Sequence, residues 1–402
     1  MNSNKLTELK EKIKDKRVFI PLIIFFCLII SGLSIFIIRG NSKNTVRIGF
    51  YQIPEPTRIK IQNAVLNMNN SSQNKTKIKF YISDKTKPFP INSRKCSIIF
   101  SYNSKTLLNL KSLNIPEKSS SLLPVKILSS VSNDKKVYAA PVLLDHFGLS
   151  LYKTYRTELN LKRPDSIKDL NQYLKQIREK ASYPLVVIGS DDRELIGFVS
   201  AMTQSYFPGK QYKKICDKVS NTQKLSTSNL PDELKTVLDE IKKMKRNELI
   251  YPEWTKVTIT DAMFLMKEHN IGAIASYIST QRTIPHVLVK YYESYAFPPQ
   301  NAKADFGLII PEICAVVLKD DLNQQELVNK LLSFEYQSEL SKETHLAPSA
   351  LKGESFDSIS DDVRFFAATS PEGPLMPMDS ACFTDPDRVH YFASILRYYI
   401  EN

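Results

Sequence analysis

The stretch KVYAAPVLLDHFGLSLYKTY, residues 136–155, contains two short apolar segments, 137–140 and 148–152, that are typical of β-strands. An aspartate and a histidine, Asp145 and His146, lie between them in an otherwise apolar context. A carboxylate between buried strands costs free energy unless a partner compensates it. We therefore expect Asp145 either to have an internal partner or to face a space that a ligand fills.

Strand and helix patterns alternate outward from this stretch. The segments TVRIGFY (45–51), CSIIFSY (96–102) and YPLVVIGS (183–190) are apolar and strand-like, whereas PDSIKDLNQYLKQI (164–177) has the apolar spacing of an amphipathic helix after a polar cap. Because 402 residues exceed what one hydrophobic core usually organises, two lobes are expected. The pattern predicts an α/β fold in which helices cover the sheets.

The segment VFIPLIIFFCLIISGLSIFII, residues 18–38, contains no charged residue over 21 positions. That length allows a helix to span a hydrocarbon core of about 30 Å, so a single transmembrane anchor is predicted. The basic segment 1–17 is then cytoplasmic by the positive-inside rule, 39–44 is a linker, and the bulk of the chain lies on the periplasmic or extracellular side of the cell membrane.

Two alternatives to an uncleaved anchor stay open. Ser31, Gly32 and Ser34 supply small residues that suit a signal-peptide cleavage site, although the apolar run continues beyond them. Cys27 suits lipid modification, but bulky residues precede it where lipoprotein signals have small ones.

Composition and motif spacing exclude several classes of function. The net charge of +13 is not gathered into a basic stripe with interleaved aromatic residues, so no nucleic-acid partner is predicted. The five histidines lack metal-ligand spacing and no catalytic signature occurs, so no metal, no cofactor and no catalytic residue are predicted.

Four cysteines lie outside the anchor and lack CxxC spacing: Cys96, Cys216, Cys314 and Cys382. They either form disulfide bridges or remain buried free thiols.

The segment SDDRE, residues 190–194, is the densest polar group in the chain. Its carboxylates, Asp191, Asp192 and Glu194, suit three interpretations: the paired acids of a glycosidase, a loop that faces a ligand, or the start of a helix, where acids interact favourably with the helix dipole. The helix start is the simplest of the three.

Four segments in one order carry a family resemblance. They are residues 136–177, with Tyr-small-x-Pro, x-Leu-x-Tyr-x-Lys and an xSxxDL helix, then TDAMFLMKEHNIGAIAS (260–276), QELVNKLLSFEYQSELSKETHLAPSA (325–350) and EGPLMPM (372–378). Together they resemble the bacterial extracellular solute-binding proteins of ABC transporters, family 1, the maltose-binding-like group. The chain departs from the family at 270–272, where Asn-Ile-Gly replaces the usual Gly-Lys-Ala, and in lacking the tryptophans that commonly stack on sugars.

The resemblance implies a periplasmic-binding-protein fold with two α/β lobes, a hinge and a ligand cleft between the lobes. Lobe 1 would comprise 45–142 and 298–349, and lobe 2 would comprise 143–297 and 350–402. The implied hinge residues are Pro141, Leu144 and Pro298.

The single tryptophan, Trp254, is expected to form a lid over a lobe edge.

The resemblance also implies a function without catalysis. The protein would capture a small solute, such as a sugar or oligosaccharide, and deliver it to the permease subunits of an ABC importer. A sensor or envelope interaction module of the same fold, and a membrane-anchored glycosidase, are the alternatives. The implied ligand-binding residues are Tyr51, Gln52, Tyr102, Asn103, Asp145, His146, Asp191, Arg193, Tyr277, Ser279 and Phe383.

Overall fold

The computed structural model describes residues 45–71, 76–82, 96–110, 112–133, 136–300, 308–319 and 322–402, without the side chains of 118 and 322–325. The predicted cytoplasmic segment, anchor and linker, residues 1–44, lie outside the described residues. Within the described ranges, no helix combines the length and apolar character that crossing a membrane requires.

The described chain alternates strands and helices, as the sequence predicts. The strands are β1 (Thr45–Tyr51), β2 (Lys77–Ile82), β3 (Ile98–Tyr102), β4 (Ser132–Asn133), β5 (Lys136–Val137), β6 (Ala140–Leu144), β7 (Phe147–Tyr152), β8 (Tyr183–Val187), β9 (Ile271–Tyr277), β10 (Tyr292–Tyr295), β11 (Glu312–Val317) and β12 (Ala347–Pro348). The helices are α1 (Glu55–Ser71), α2 (Lys105–Leu108), α3 (Glu117–Ser120), α4 (Val125–Ser130), α5 (Lys153–Glu158), α6 (Ile167–Ile177), α7 (Asp192–Tyr206), α8 (Gly209–Asn221), α9 (Asp232–Arg246), α10 (Ile259–Lys267), α11 (Ile278–Gln281), α12 (His286–Val289), α13 (Leu322–Leu332), α14 (Phe334–Thr344), α15 (Ser358–Thr369), α16 (Met378–Cys382) and α17 (Pro386–Glu401), with short 3₁₀ turns at Thr227–Asn229 and Trp254–Lys256.

Six strands form the first sheet, in the order β12-β6-β11-β3-β1-β2. β1 is parallel to β2 and β3, whereas β11 is antiparallel to β3 and β6. Alternate residues of β3 are buried on opposite faces of the sheet: Phe100 packs with the core formed by α1, α13 and α14, and Ile99 packs with Tyr51 and Cys96. We call this sheet and the elements packed on it the first lobe.

The second sheet has four strands in the order β10-β7-β9-β8 and forms the second lobe with its helices. Leu185 and Val187 of β8 face the large core beneath α6, α7 and α9, whereas Val186 faces a smaller core with Ile274 and α10. A strand buried on both faces requires the continuous apolar run that this segment has. The cap of α6 is also as predicted, because the Ser166 hydroxyl accepts a hydrogen bond from the Asp169 amide (3.1 Å).

The lobes are joined where β6 ends and β7 begins, at residues 145–146. Two of the predicted hinge residues, Pro141 and Leu144, lie within β6 itself, and the Pro141 carbonyl accepts hydrogen bonds from Gln337 Nε2 (3.2 Å) and Ser349 Oγ (2.5 Å). The third, Pro298, is buried after β10. The first lobe therefore keeps the chain through Leu144, two residues beyond the predicted boundary.

Helix α15 differs from the predicted division, which assigned residues 350–402 to the second lobe. Its Val363 and Ala367 are buried against Ile127, Leu144 and Ala347 of the first lobe. The apolar stripe of α15 thus fixes it beside β12 and α4, and only α16 and α17 join the second lobe.

Trp254 is also not a lid. Its side chain is 0% exposed and belongs to the large core of the second lobe, where it packs edge-on against Phe198 with ring centroids 5.4 Å apart. The four cysteines between 96 and 382 are buried free thiols, one of the two predicted states.

Candidate functional site

A cleft of about 750 Å³ is lined by both lobes. The first-lobe wall is formed at the ends of two strands and the start of α2, by Gln52 after β1, Tyr102 at the end of β3, and Ser104 and Thr106. The opposite wall comes from the ends of α7, α10, α11, α16 and α17. This volume lies within the range of about 300–1,000 Å³ that is typical of small-molecule sites.

The start of α7 forms much of the second-lobe wall. Asp191 is the N-cap, and its Oδ1 accepts hydrogen bonds from the amides of Arg193 (2.8 Å) and Glu194 (3.2 Å). The neighbouring Asp192 is paired with Arg397 Nη1 (2.7 Å) and His390 Nδ1 (2.7 Å) of α17. The helix-start interpretation of SDDRE is therefore confirmed.

Asp145 has internal partners, which answers the question raised by the sequence. Its side chain is 0% exposed, and Oδ2 accepts hydrogen bonds from Arg193 Nη2 (2.8 Å) and Ser279 Oγ (2.6 Å). Oδ1 accepts from the amides of Ser279 (3.0 Å) and His146 (2.9 Å). The carboxylate is thus compensated inside the protein at the point where the chain passes between the lobes.

Arg193 is the cation at the base of the cleft. Its guanidinium lies 3.8 Å from the ring centroid of Tyr277 in the second lobe and 4.5 Å from that of Tyr102 in the first lobe. A guanidinium within about 6 Å of an aromatic face is attracted to it. Arg193 therefore connects the two lobes and covers one face of each of these rings.

Glu194 is buried behind the cleft wall. Its carboxylate accepts hydrogen bonds from the Tyr277 amide (3.1 Å) and from the Thr280 hydroxyl, and burial raises its pKa to about 8. The three carboxylates of SDDRE thus have separate structural roles: Asp191 caps α7, Asp192 pairs with Arg397 and His390, and Glu194 is buried.

The raised pKa of Glu194 has a consequence for stability. The pKa of Glu194 is near 4.5 in the unfolded chain and about 8 in the folded protein. Between these two pH values the folded protein binds a proton at Glu194 that the unfolded chain has released, so the contribution of Glu194 to the free energy of unfolding falls as the pH rises. We expect Glu194→Gln to flatten this decline, measured by urea unfolding at pH 5, 6, 7 and 8. An unchanged slope between pH 5 and pH 8 would show that Glu194 ionises normally in the folded protein.

The structure brings six of the predicted ligand-binding residues to the cleft surface and places five elsewhere. Those at the surface are Gln52, Tyr102, Asp191, Arg193, Ser279 and Phe383. Those that do not line the cleft are buried in the interior: Tyr51, Asn103, Asp145, His146 and Tyr277. Tyr102, Ser279 and Phe383 line the cleft although each is also at most 5% exposed.

The interior residues have structural surroundings that account for their burial. Asn103 donates to Glu312 Oε2 (2.7 Å) and accepts from the Tyr138 hydroxyl (3.0 Å), which satisfies its amide within the first lobe. Burial lowers the pKa of His146 to about 4 and keeps the imidazole neutral. Tyr51 packs with Cys96 and Ile99, while Tyr277 lies beneath Arg193.

Several cleft residues were missed from the sequence, mainly in the last thirty residues. Asp379 and Ser380 lie on α16, and His390 and Arg397 on α17. The seven-residue spacing of His390 and Arg397 places them on one helix face, which was the available signal. Nothing in the sequence shows that this face meets Asp192.

Among the described residues, no group of three His, Cys, Asp or Glu is arranged to hold a metal ion.

Comparisons with known proteins bear on the fold. No family model and no curated protein matches the chain. The bacterial solute receptor AcbH, described as preferring β-D-galactopyranose exclusively, superposes with a TM-score of 0.70 at 11% identity, over 89% of this chain and 92% of that chain. The putative binding protein MsmE from Bacillus subtilis subsp. subtilis str. 168, in an open conformation, gives 0.68 at 12%, over 89% and 93%.

A sugar transporter from Bacillus licheniformis in complex with stachyose gives a TM-score of 0.61 at 13% identity, over 89% of this chain and 98% of that chain. At these identities the likeness shows the fold. The chain has the two-lobe α/β fold of bacterial solute-binding proteins, so the resemblance predicted from the sequence is confirmed at that level.

Proposed function

We propose that the protein is an extracytoplasmic solute-binding protein that encloses a small solute, a sugar or oligosaccharide, between its lobes and delivers it to an ABC importer. The observation that carries the proposal is the cleft of about 750 Å³ lined by both lobes of a solute-binding fold. A ligand that contacts both walls favours the closed arrangement of the lobes, because only that arrangement forms all the contacts.

The polar lining of the cleft supports a hydroxylated ligand. Ser104 and Thr106 come from the first lobe, and Ser190, Thr258 and Ser380 come from the second. Hydroxyl groups both donate and accept, so they suit the hydroxyls of a sugar. Among the predicted contacts, we propose that the six at the surface bind the ligand and that the five in the interior position them. Residues 145–146 act as the hinge, together with Pro141 and Leu144, which precede them in β6, and with Pro298.

The apolar segment 18–38 supports attachment to the cell membrane. In this proposal it anchors the protein, and the linker 39–44 leads directly to β1, which begins at Thr45. The two lobes would then lie outside the cytoplasm, close to the permease subunits that receive the solute.

A sensor or envelope interaction module remains a second candidate, because of one observation. Arg193 covers a face of both Tyr102 and Tyr277, and the single tryptophan is in a core, so few aromatic faces are left for stacking on a sugar ring. A protein of this kind would retain the fold while using the cleft weakly.

Thermal unfolding in the presence of a sugar library tests the proposal. A ligand at 100 times its dissociation constant is expected to stabilise the folded protein by about 2.7 kcal/mol. A shift in Tm that grows with the concentration of one solute supports the proposal. The absence of a shift across neutral, amino and oligomeric sugars would contradict it.

A further inference from the structure

We propose that the cleft selects a polyhydroxylated cation, of the amino-sugar class, whose ammonium group is bound by Asp379 with Asp191 close by. This inference rests on the proposed solute-binding function and names the class of solute. It follows from the balance of charges in the cleft lining, from the partners of each charged group, and from the polar groups around them.

The cations of the cleft are already paired. Arg193 is bound by Asp145, and Arg397 is bound by Asp192 and also donates to the carbonyls of Gly189 (3.0 Å) and Ser190 (3.0 Å). His390 contacts the same Asp192 carboxylate. The positive side chains of the lining are thus already paired with carboxylates or carbonyls of the protein, so they attract an anionic ligand only weakly.

Three carboxylates of the lining have no ion-pair partner among the described residues. Asp191 and Asp385 accept only the amide hydrogen bonds of their helix caps, and Asp379 Oδ1 accepts one from the Ser380 amide (2.6 Å). Burial raises the pKa of Asp379 although Arg193 is near, and the charge of Asp191 raises it further. A partly buried carboxylate at a cleft wall gains most from a ligand that brings a positive charge.

The net charge of the cleft lining is opposite in sign to the net charge of the whole chain. The sequence has a net charge of +13, yet four aspartates, two arginines and one histidine face the cleft beside the buried Glu194, whose pKa of about 8 keeps it mostly protonated at pH 7. The four aspartates outnumber the two arginines, so the lining carries a net negative charge that attracts cations. A negative cleft in a basic protein therefore indicates selection for a cation.

The surroundings of Asp379 fit the remainder of an amino sugar. Ser380 and Thr384 lie on the same wall, and Ser104 and Thr106 lie on the opposite wall. A ring with several hydroxyl groups and one ammonium group has partners on both sides of the cleft. An apolar amine without hydroxyls would leave these serine and threonine side chains without ligand contacts.

Isothermal titration calorimetry with defined sugars tests the inference. Glucosamine and galactosamine are compared with glucose and galactose, and with N-acetylglucosamine, which keeps the nitrogen but not the charge. We expect an amino sugar to bind at least about tenfold more tightly than its neutral counterpart, since a hydrogen bond to a charged group is worth about 1.5–3 kcal/mol. Its dissociation constant should rise with added NaCl, while that of the neutral sugar should not.

Variants of Asp379 localise the effect. Asp379→Asn should remove most of the tenfold preference for the amino sugar over its neutral counterpart. Asp362→Asn, on the exposed side of α15 away from the cleft, is the matched control and should leave both affinities unchanged. If Asp379→Asn does not fold, the comparison of sugars and the salt dependence of the wild type still decide the question.

The outcomes separate the inference from the function on which it rests. Neutral sugars that bind as tightly as amino sugars would overturn the cationic selection and leave the solute-binding function in place. Amino sugars that bind equally well to Asp379→Asn would place the ammonium elsewhere and would also overturn the inference. If neither class of sugar binds and the oligomeric sugars of the thermal screen also give no shift in Tm, the proposed function itself fails.

Discussion

Asp145→Ala is expected to lower the free energy of unfolding by about 3–5 kcal/mol, because it leaves Arg193, whose side chain is only 19% exposed at the base of the cleft, without its counter-ion. The substitution also removes the acceptor for the Ser279 hydroxyl and amide, at 2.6 and 3.0 Å. Since Arg193 contacts tyrosines of both lobes, we expect the loss to affect the junction of the lobes. Urea unfolding of the purified protein measures the effect.

Two further variants make this prediction specific. Asp362→Ala removes an exposed carboxylate from α15 and should change stability by less than about 0.5 kcal/mol. Asp145→Ala combined with Arg193→Leu should recover part of the loss, because no unpaired charge then remains in the interior. A loss below about 1 kcal/mol for Asp145→Ala would mean that water compensates Arg193 and that the ion pair is not a structural element.

Trp254→Ala is expected to cost about 3–5 kcal/mol, because it leaves a large cavity in the core of the second lobe. The indole is 0% exposed, packs edge-on against Phe198, and lies so close to Gly189 that a Cβ there would be 2.8 Å from the ring. Chemical or thermal unfolding measures the loss.

The control for Trp254 is an exposed aromatic residue of the same lobe. Phe264 on α10 has a side chain that is 62% exposed, and Phe264→Ala should change stability by less than about 0.5 kcal/mol. The position that the sequence predicts for Trp254, as a lid at a lobe edge, would give a loss similar to that of Phe264. Equal effects of the two substitutions would therefore contradict the buried position.

Local features of the fold were predictable because short-range patterns determine them. The stripe Ile167, Leu170, Leu174 and Ile177 is buried on one face of α6, and the Ser166 cap is in place, as the spacing indicated. The continuous apolar run of residues 183–190 likewise predicted a strand, and the structure buries both faces of that strand, β8. These features depend on neighbours a few residues away.

Long-range partners were not predictable in this way. The sequence left two alternatives for Asp145, and its main partner, Arg193, is 48 residues further along the chain. The sequence likewise did not show that Arg193, a predicted ligand-binding residue that lines the cleft, forms an ion pair with Asp145. The side of the fold to which α15 belongs depended in the same way on Val363 and Ala367 meeting Ile127 and Ala347.

The most direct test of the proposed function is a calorimetric titration of the best sugar from the thermal screen into the wild type and into Thr106→Trp. Thr106 is partly exposed at the cleft wall of the first lobe, where its hydroxyl reaches the Thr384 carbonyl of the second lobe (3.5 Å). An indole at this position would occupy the part of the cleft between Thr106 and the second lobe, where a ligand that contacts both walls has to lie. The proposed function predicts saturable one-to-one binding by the wild type and none by a folded Thr106→Trp. Equal binding by both proteins would contradict a ligand site between the lobes.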